Sequence, residues 1–164
     1  MGTIPVLGFS AYSGAGKTTL IERLIPIFKH RGLRLAVIKH DGHRFEIDQE
    51  GKDSWRFAQA GADAVIVSSS EKVAYIQQRA LPLEQLVGLV HGVDLILVEG
   101  YKAADLPQIG IARKASGKPL PFDIDHYIAI VTDIDMERTS SPPCFGFNEM
   151  DALADFILHY TGLL

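Results

Sequence analysis

Apolar residues along this chain follow two alternating patterns: short continuous runs, and stretches in which they recur every three or four positions. The runs predict strands buried on both faces, and the wider spacing predicts helices with one apolar side. The predicted strands span residues 4–10, 33–39, 64–68, 73–77, 93–98, 109–113 and 127–132. The predicted helices begin at Lys17, at an Asp53-Ser54 cap, at Pro82 and at an Asn148 cap. This order predicts a three-layer α/β/α fold with a mostly parallel sheet and an added β-hairpin at 64–77.

Length, charge and cysteine content narrow the class of protein. A chain of 164 residues predicts one domain over residues 1–164. The formal net charge of −4 argues against a general binder of nucleic acid or anionic membranes, so a phosphate ligand must be held by local geometry.

Cys144 is the single cysteine, which excludes an internal disulfide, and we interpret it as a small apolar filler. With no signal-peptide pattern and no apolar run near the ~18 residues that span a bilayer, we expect a cytoplasmic protein.

The strongest chemical signal lies between the first strand and the first helix, where residues 11–18 read Ala-Tyr-Ser-Gly-Ala-Gly-Lys-Thr. Glycines let backbone N–H groups close around phosphate oxygens, and the helix that follows directs its positive end at them. In such a P-loop, Lys17 reaches the outer phosphates and the Thr18 hydroxyl ligates Mg²⁺. The pattern usually starts with Gly, and Ala11 is read as a tolerated variant. The predicted nucleotide-binding residues of this P-loop NTPase-like fold are Ser13, Gly14, Ala15, Gly16, Lys17, Thr18 and Thr19.

A P-loop requires an acidic residue at the end of a neighbouring buried strand to complete the magnesium shell. Glu99 follows four consecutive apolar residues and emerges at the carboxyl end of its strand, where ligands bind in open α/β sheets. Asp94 lies at the opposite end and is read as a strand-entry residue. We therefore expect Glu99 to act with Thr18 on the metal and with Lys17 in catalysis.

The polar segment 40–54 follows the second strand and should lie on the same sheet edge. Within it, Asp48 is a candidate third metal ligand and catalytic residue, and His40, Asp41 or His43 are candidates for positioning water or substrate. Individually, each of these polar residues is more often a solvated loop side chain, and the functional reading weighs equally only for Asp48. The two histidines lack two further ligands at suitable spacing, so a structural zinc site is not expected.

Together these elements resemble the molybdopterin-guanine dinucleotide biosynthesis protein B family. The resemblance rests on residues 10–19, 37–40, 47–54 and 94–102, with weaker likeness at 127–133 and 154–157. It implies a GTP-binding homodimer with weak Mg²⁺-dependent GTPase activity. It also implies partnership with the molybdopterin guanylyltransferase and molybdenum-insertion proteins. In this family the middle hairpins are expected to pair between protomers, and here the segment Ile109–Arg113 is the strongest candidate.

Recognition of guanine is less clear from the residues, because the Asn-Lys-x-Asp phrase that usually reads this base is absent. Thr132 and Asp133 follow a buried strand at a comparable point and are candidates for base binding, although an Asp that starts a turn explains the same pattern. Tyr12 stands where the partition- and arsenical-ATPase relatives have a signature lysine, which argues against those subfamilies.

Two other functions are compatible with the same loop. A small-molecule kinase would need an arginine-bearing lid, whereas Arg44, Arg56 and Arg79 are scattered along the chain. A nucleotide-gated adaptor would use the bound phosphate to order the 40–54 loop for a partner, with hydrolysis incidental.

Overall fold

The computed structural model describes residues 3–135 and 142–164. The chain forms two compact units, of which the first comprises Met1–His40 and Leu86–Leu164 and the second Asp41–Gln85. The strands are β1 Val6–Ser10, β2 Leu35–Lys39, β3 Ala64–Ser68, β4 Val73–Gln77, β5 Leu95–Glu99, β6 Gln108–Ala112, β7 Ala129–Thr132 and β8 Cys144–Phe145. The helices are α1 Lys17–His30, α2 Asp53–Gln59, α3 Leu83–Gly88 and α4 Met150–Thr161, and two single 3₁₀ turns cover Lys114–Ser116 and Ile124–His126.

The first unit is built on a six-stranded sheet in the order β2-β5-β1-β6-β7-β8, in which every pairing is parallel. The second unit contains the antiparallel hairpin of β3 and β4. The prediction of an α/β fold with a mostly parallel sheet and an added hairpin is therefore confirmed. Among the described helices, none is long and apolar enough to cross a membrane.

The interior explains why the central strands read as unbroken apolar runs. Leu95 through Glu99 are buried along the whole of β5, which lies inside the sheet between β2 and β1. Helix α1 contributes Leu20, Leu24 and Phe28 to the core cluster, and α4 contributes Leu153. Burying each of these large side chains stabilises the fold by roughly 1.5–3 kcal/mol.

Register in the sheet brings the two predicted phosphate-site segments together. Strands β1 and β5 are adjacent and parallel, and Phe9 pairs with Glu99. Both strands therefore end at the same edge, one at the glycine-rich loop and the other at the acidic residue. Because of this pairing, Glu99 lies at the same edge of the sheet as the glycine-rich loop, the position that the sequence predicts for it.

Several details differ from the predictions. The strand β8 was missed, because only two residues after Pro143 carry it and no periodicity can be read from two residues. The predicted caps are wrong, since α2 begins at Asp53 after Lys52 and α4 has Glu149 at its N-cap, with no side-chain cap bond in either case. Glu149 instead accepts a hydrogen bond from the Gly146 amide.

The segment Ile109–Arg113 is not a pairing edge for a second protomer. Its strand, β6, is buried and lies between β1 and β7, with parallel neighbours on both sides. A strand whose two edges are already bonded has no free ladder to offer, so this candidate dimer contact is wrong.

Asp94 fixes the start of β5, as its reading as a strand-entry residue implied. Its Oδ1 accepts from Arg34 Nη2 at 2.8 Å, and Oδ2 accepts from the Arg34 amide at 2.7 Å and from Nε at 3.1 Å. The hydrogen bonds from Arg34 hold the pKa of Asp94 at about 2, below its ordinary value of 3.8. The pair joins the entry to β2 with the entry to β5.

We predict that Asp94→Asn lowers the free energy of unfolding above pH 4. The pKa of Asp94 is depressed in the folded state, so the carboxylate stabilises the fold above its unfolded pKa, and this contribution is lost as pH falls toward about 2. Urea denaturation of wild type and variant at several pH values between 3 and 7 measures the difference. The exposed Asp105→Asn serves as control, and a wild-type-to-variant difference that does not shrink below pH 4 would contradict the assignment.

Candidate nucleotide-binding site

The loop between β1 and α1 takes the backbone conformation of a phosphate cradle. Gly14 and Gly16 have φ angles of 84° and 92°, in the left-handed region that other residues rarely adopt. Between them, the Ala15 amide donates to the Tyr12 carbonyl at 3.3 Å and the Ala15 side chain is buried. The two glycines therefore let the chain turn tightly enough to present its amides on one side.

Helix α1 begins directly after Gly16 with its first amides available. The N-cap is a glycine in the left-handed conformation, with no side-chain cap bond, and the first turn contains no acidic residue. The first N–H groups of any helix lack intrahelical partners, and here no cap side chain competes for those of Lys17, Thr18 and Thr19. Together with the helix dipole, this arrangement attracts an anion.

Lys17 arches back over the loop. Its Nζ donates to the Ala11 carbonyl at 3.1 Å and lies 3.3 Å from the Tyr12 carbonyl. Burial lowers the pKa of Lys17 below its ordinary value, the nearby Glu99 carboxylate opposes that change, and the charge of Lys102 adds to it. A partly desolvated ammonium group with a second cation nearby gains from any anion that enters the loop.

Thr18 and Glu99 meet as the magnesium prediction requires. The Thr18 hydroxyl donates to Glu99 Oε1 at 2.9 Å, and Glu99 is buried at 8% exposure. One hydroxyl and one carboxylate are oxygen donors of the kind that Mg²⁺ accepts while it keeps waters and takes phosphate oxygens. In the described ranges there is no group of three or more His, Cys, Asp or Glu side chains able to hold a metal alone. The residues therefore fit a magnesium ion that arrives with a phosphate ligand.

Gly100, the residue after Glu99, lies in close contact with the backbone of His40. Gly100 has a φ of 101°, and a Cβ at this position would lie 3.0 Å from the His40 carbonyl oxygen. The His40 amide donates to the Glu99 carbonyl at 2.8 Å, and the imidazole packs on the Tyr101 ring with centroids 4.8 Å apart. His40 thus contacts the strand end that carries Glu99 through its backbone and through ring packing.

The other candidates of the 40–54 segment belong to the second unit. Asp48 Oδ1 accepts from the Gln49 amide at 2.8 Å and from the Ser54 hydroxyl at 3.0 Å. Asp41 Oδ1 accepts from the His43 amide at 3.2 Å. These contacts organise the loop before α2, and the metal-binding role of Asp48 remains a prediction.

Thr132 and Asp133 lie at the end of β7, at the carboxyl edge of the same sheet. The Thr132 hydroxyl accepts from the Ile134 amide at 3.0 Å, and Asp133 Oδ1 accepts from the Lys114 amide at 2.6 Å. One of the two carboxylate oxygens of Asp133 therefore fixes the start of the 3₁₀ turn Lys114–Ser116.

Three cations that the sequence analysis did not select lie near the loop. Lys118 Nζ donates to the Ser13 carbonyl at 3.2 Å, and Lys102 Nζ lies 4.6 Å from the centroid of the Tyr12 ring. Arg113 faces Gly16, since a Cβ at that glycine would lie 3.4 Å from a guanidinium nitrogen. Arg113 directly follows β6, so its place at the strand end was the available signal.

Comparison with known proteins places this site in a family. Residues 6–133 match the family model described as molybdopterin guanine dinucleotide synthesis protein B. The chain belongs to this family. The matched range begins with β1 and ends at Asp133, so it includes the glycine-rich loop and Glu99.

Individual members of the family are similar over most of their length. The molybdopterin-guanine dinucleotide biosynthesis adapter protein of Haemophilus influenzae is 41% identical over 161 residues, which cover 94% of this chain and 88% of that protein. The Escherichia coli protein of the same description is 36% identical, covering 96% of this chain and 93% of its own. The crystal structure of Bacillus subtilis MobB is 30% identical with a TM-score of 0.76, covering 94% of this chain and 96% of that one.

Proposed function

We propose that this chain is a nucleotide-dependent adapter in the assembly of molybdopterin guanine dinucleotide, and that it binds GTP with Mg²⁺ at the β1–α1 loop. The observation that carries the proposal is the 2.9 Å contact between Thr18 and Glu99 beside a loop whose two glycines are left-handed. Family membership supports the pathway, since its relatives are described as adapter proteins.

In this proposal each residue of the loop has a defined task. The amides from Ser13 to Thr19 surround the phosphate chain, and Lys17 exchanges its carbonyl contacts for the outer phosphate oxygens. Thr18 and Glu99 hold the magnesium ion, which supplies charge neutralisation for the phosphates when bound. With only Lys17 and the magnesium ion to promote it, hydrolysis of the bound GTP is slow. Slow hydrolysis suits an adapter whose state depends on the bound nucleotide.

We also assign Asp48 as a further magnesium ligand and catalytic residue. Its carboxylate would have to exchange the contacts with Gln49 and Ser54 for the metal. Guanine is assigned to the end of β7, where Thr132 and Asp133 offer a hydroxyl and a carboxylate. A carboxylate accepts hydrogen bonds from the ring N–H and the amino group of guanine, which adenine does not present in that arrangement.

The adapter role requires protein partners. We assign the molybdopterin guanylyltransferase and the molybdenum-insertion proteins as its partners. We assign the chain to the cytoplasm. The description of the relatives as adapters supports an enzyme partner rather than a complete synthase in one chain.

We also assign a homodimer, with the β3–β4 hairpin as its contact surface. Ile66 pairs directly with Tyr75 and Ser68 with Val73, so their side chains share one face of the hairpin. Ile66 and Val73 are 66% and 68% exposed, and Tyr75 is 45% exposed. A two-stranded hairpin with an exposed apolar face is marginal by itself, and a second copy would cover it.

The nucleotide assignment predicts that Lys17→Ala weakens Mg²⁺–GTP binding by roughly 100-fold, because it removes the cation that faces the outer phosphates. Glu99→Gln should leave metal-free binding nearly unchanged and abolish the gain produced by Mg²⁺. Titration of a fluorescent GTP analogue with and without Mg²⁺ measures both effects. Lys29→Ala, an exposed cation at the far end of α1, is the control, and equal binding by all four proteins would refute the site.

Base reading by Asp133 predicts that Asp133→Asn exchanges specificity. An Asn amide donates to the C2 carbonyl of xanthine, whereas the carboxylate accepts from the amino group of guanine. GTP affinity should fall by about 10-fold or more while XTP affinity rises. Competition with GTP, XTP and ATP measures the preference, and an equal loss for all three would show that Asp133 acts only through Lys114.

The dimer assignment predicts that Ile66→Glu yields a monomer, since a buried unpaired carboxylate opposes association. Sedimentation velocity or light scattering on the purified chain measures the mass. Leu89→Glu, which places the same charge at another exposed apolar position, should leave the mass unchanged. A monomeric mass for the wild-type chain would contradict the homodimer assignment.

A further inference from the structure

Lys102 belongs to the connection that leaves the acidic end of β5. It follows Glu99 by three residues, so it starts from the edge of the sheet where the Thr18 hydroxyl meets the Glu99 carboxylate. Its ammonium group lies over the Tyr12 ring, 4.6 Å from the ring centroid, within the range of a cation–π contact. Lys102 therefore joins the connection after β5 to the beginning of the glycine-rich loop.

The backbone that carries Lys102 is held by a buried polar side chain. Gln108, at the start of β6, is 1% exposed, and its Nε2 donates to the Lys102 carbonyl at 2.8 Å and to the Ala104 carbonyl at 3.1 Å. The Lys102 amide donates to the Gly100 carbonyl at 2.9 Å. A buried side-chain amide needs hydrogen-bond partners, and both donor bonds of this one go to the connection after β5. The side chain of Lys102 therefore starts from a fixed point beside the glycine-rich loop.

Two ammonium groups meet at this side of the loop. Lys17 Nζ lies 3.1 Å from the Ala11 carbonyl and 3.3 Å from the Tyr12 carbonyl, and Lys102 Nζ lies over the ring of the same tyrosine. The charge of Lys102 is among the causes that lower the pKa of Lys17, after burial, so the two cations are close enough to repel each other.

These two cations lack acidic partners at ion-pair distance. Within residues 3–135 and 142–164, neither Lys17 nor Lys102 forms a salt bridge with a carboxylate. The chain as a whole has a net charge of −4, so the pair runs against its overall sign. Two neighbouring cations that repel each other gain from an anion with several charges that contacts both of them.

We propose that Lys102 is the second cation of the phosphate site, and that it leaves the Tyr12 ring to bind the terminal phosphate of a nucleoside triphosphate together with Lys17. The magnesium ion assigned to Thr18 and Glu99 would bridge the last two phosphates, and Lys102 enters from the same strand end as Glu99. A phosphate oxygen carries a full negative charge, so it is a stronger partner for an ammonium group than an aromatic ring is. This inference rests on the proposed nucleotide-binding function and adds a residue that distinguishes a triphosphate from a diphosphate.

The test is titration of fluorescent GTP and GDP with Mg²⁺ into wild type, Lys102→Gln, Lys102→Arg and Lys114→Gln. Lys102→Gln should weaken GTP binding by roughly 10-fold or more and GDP binding far less, because only GTP carries the terminal phosphate. Lys102→Arg keeps the charge and should retain most of the preference for GTP. Lys114→Gln is a matched control, since it removes the same charge from an exposed position in the connection after β6. It should change both affinities by less than about 3-fold, the effect of a screened charge.

The ratio of GTP to GDP affinity separates phosphate binding from a structural role, because a distorted loop weakens both nucleotides together. Thermal unfolding without nucleotide checks the fold of each variant. If Lys102→Gln does not fold, Lys102→Met takes its place, since it removes the charge and keeps an unbranched side chain that can pack on the Tyr12 ring.

Two results would overturn the inference while leaving the proposed function intact. One is a GTP-to-GDP ratio in the uncharged Lys102 variant that matches the ratio in Lys114→Gln. The other is a Lys102→Arg variant that loses the preference for GTP as fully as the uncharged variant, because the charge would then not be what binds. A wild-type chain that binds no Mg²⁺–triphosphate would contradict both the inference and the proposed function.

Discussion

The hydrogen bond between Thr18 and Glu99 is the contact on which the organisation of the site depends. It joins the first turn of α1 to the end of β5, and it forms because β1 and β5 are parallel neighbours in register. That register is fixed by apolar strands buried on both faces, so the core and the site are parts of one arrangement. A slip of one residue between these strands would turn Glu99 toward the other face of the sheet and separate the two oxygen donors.

The elements nearest to this contact were the most predictable from sequence. The apolar run before Glu99 and the spacing from Gly14 to Thr18 are local patterns, and each has a direct structural meaning. Five of the six strands of the parallel sheet were predicted for the same reason. β1, β2 and β7 begin two residues later than predicted, β5 spans 95–99 rather than 93–98, and β6 spans 108–112 rather than 109–113. Two features carry no readable local pattern and were not predictable: β8 has two residues, and the N-cap of α4 is Glu149 rather than Asn148.

The same limitation applies to the cations of the site. Arg113 and Lys118 belong to no motif, and their proximity to the loop follows only from the order of β1 and β6 in the sheet. Of the arginines scattered along the chain, Arg44 pairs with Glu46 and Arg56 pairs with Asp53. Sheet topology, not spacing along the chain, decides which basic residues lie beside the glycine-rich loop.

Asp133 connects the end of β7 with the turn that follows β6. It directly follows β7 in the chain, and its carboxylate accepts a hydrogen bond from the Lys114 amide at the start of the turn between Arg113 and Lys118. If the same carboxylate reads the base, then a nucleobase that engages it also alters how firmly that turn is held. Because one carboxylate serves both contacts, base binding and the position of the turn are thermodynamically linked, and each changes the free energy of the other by the same amount.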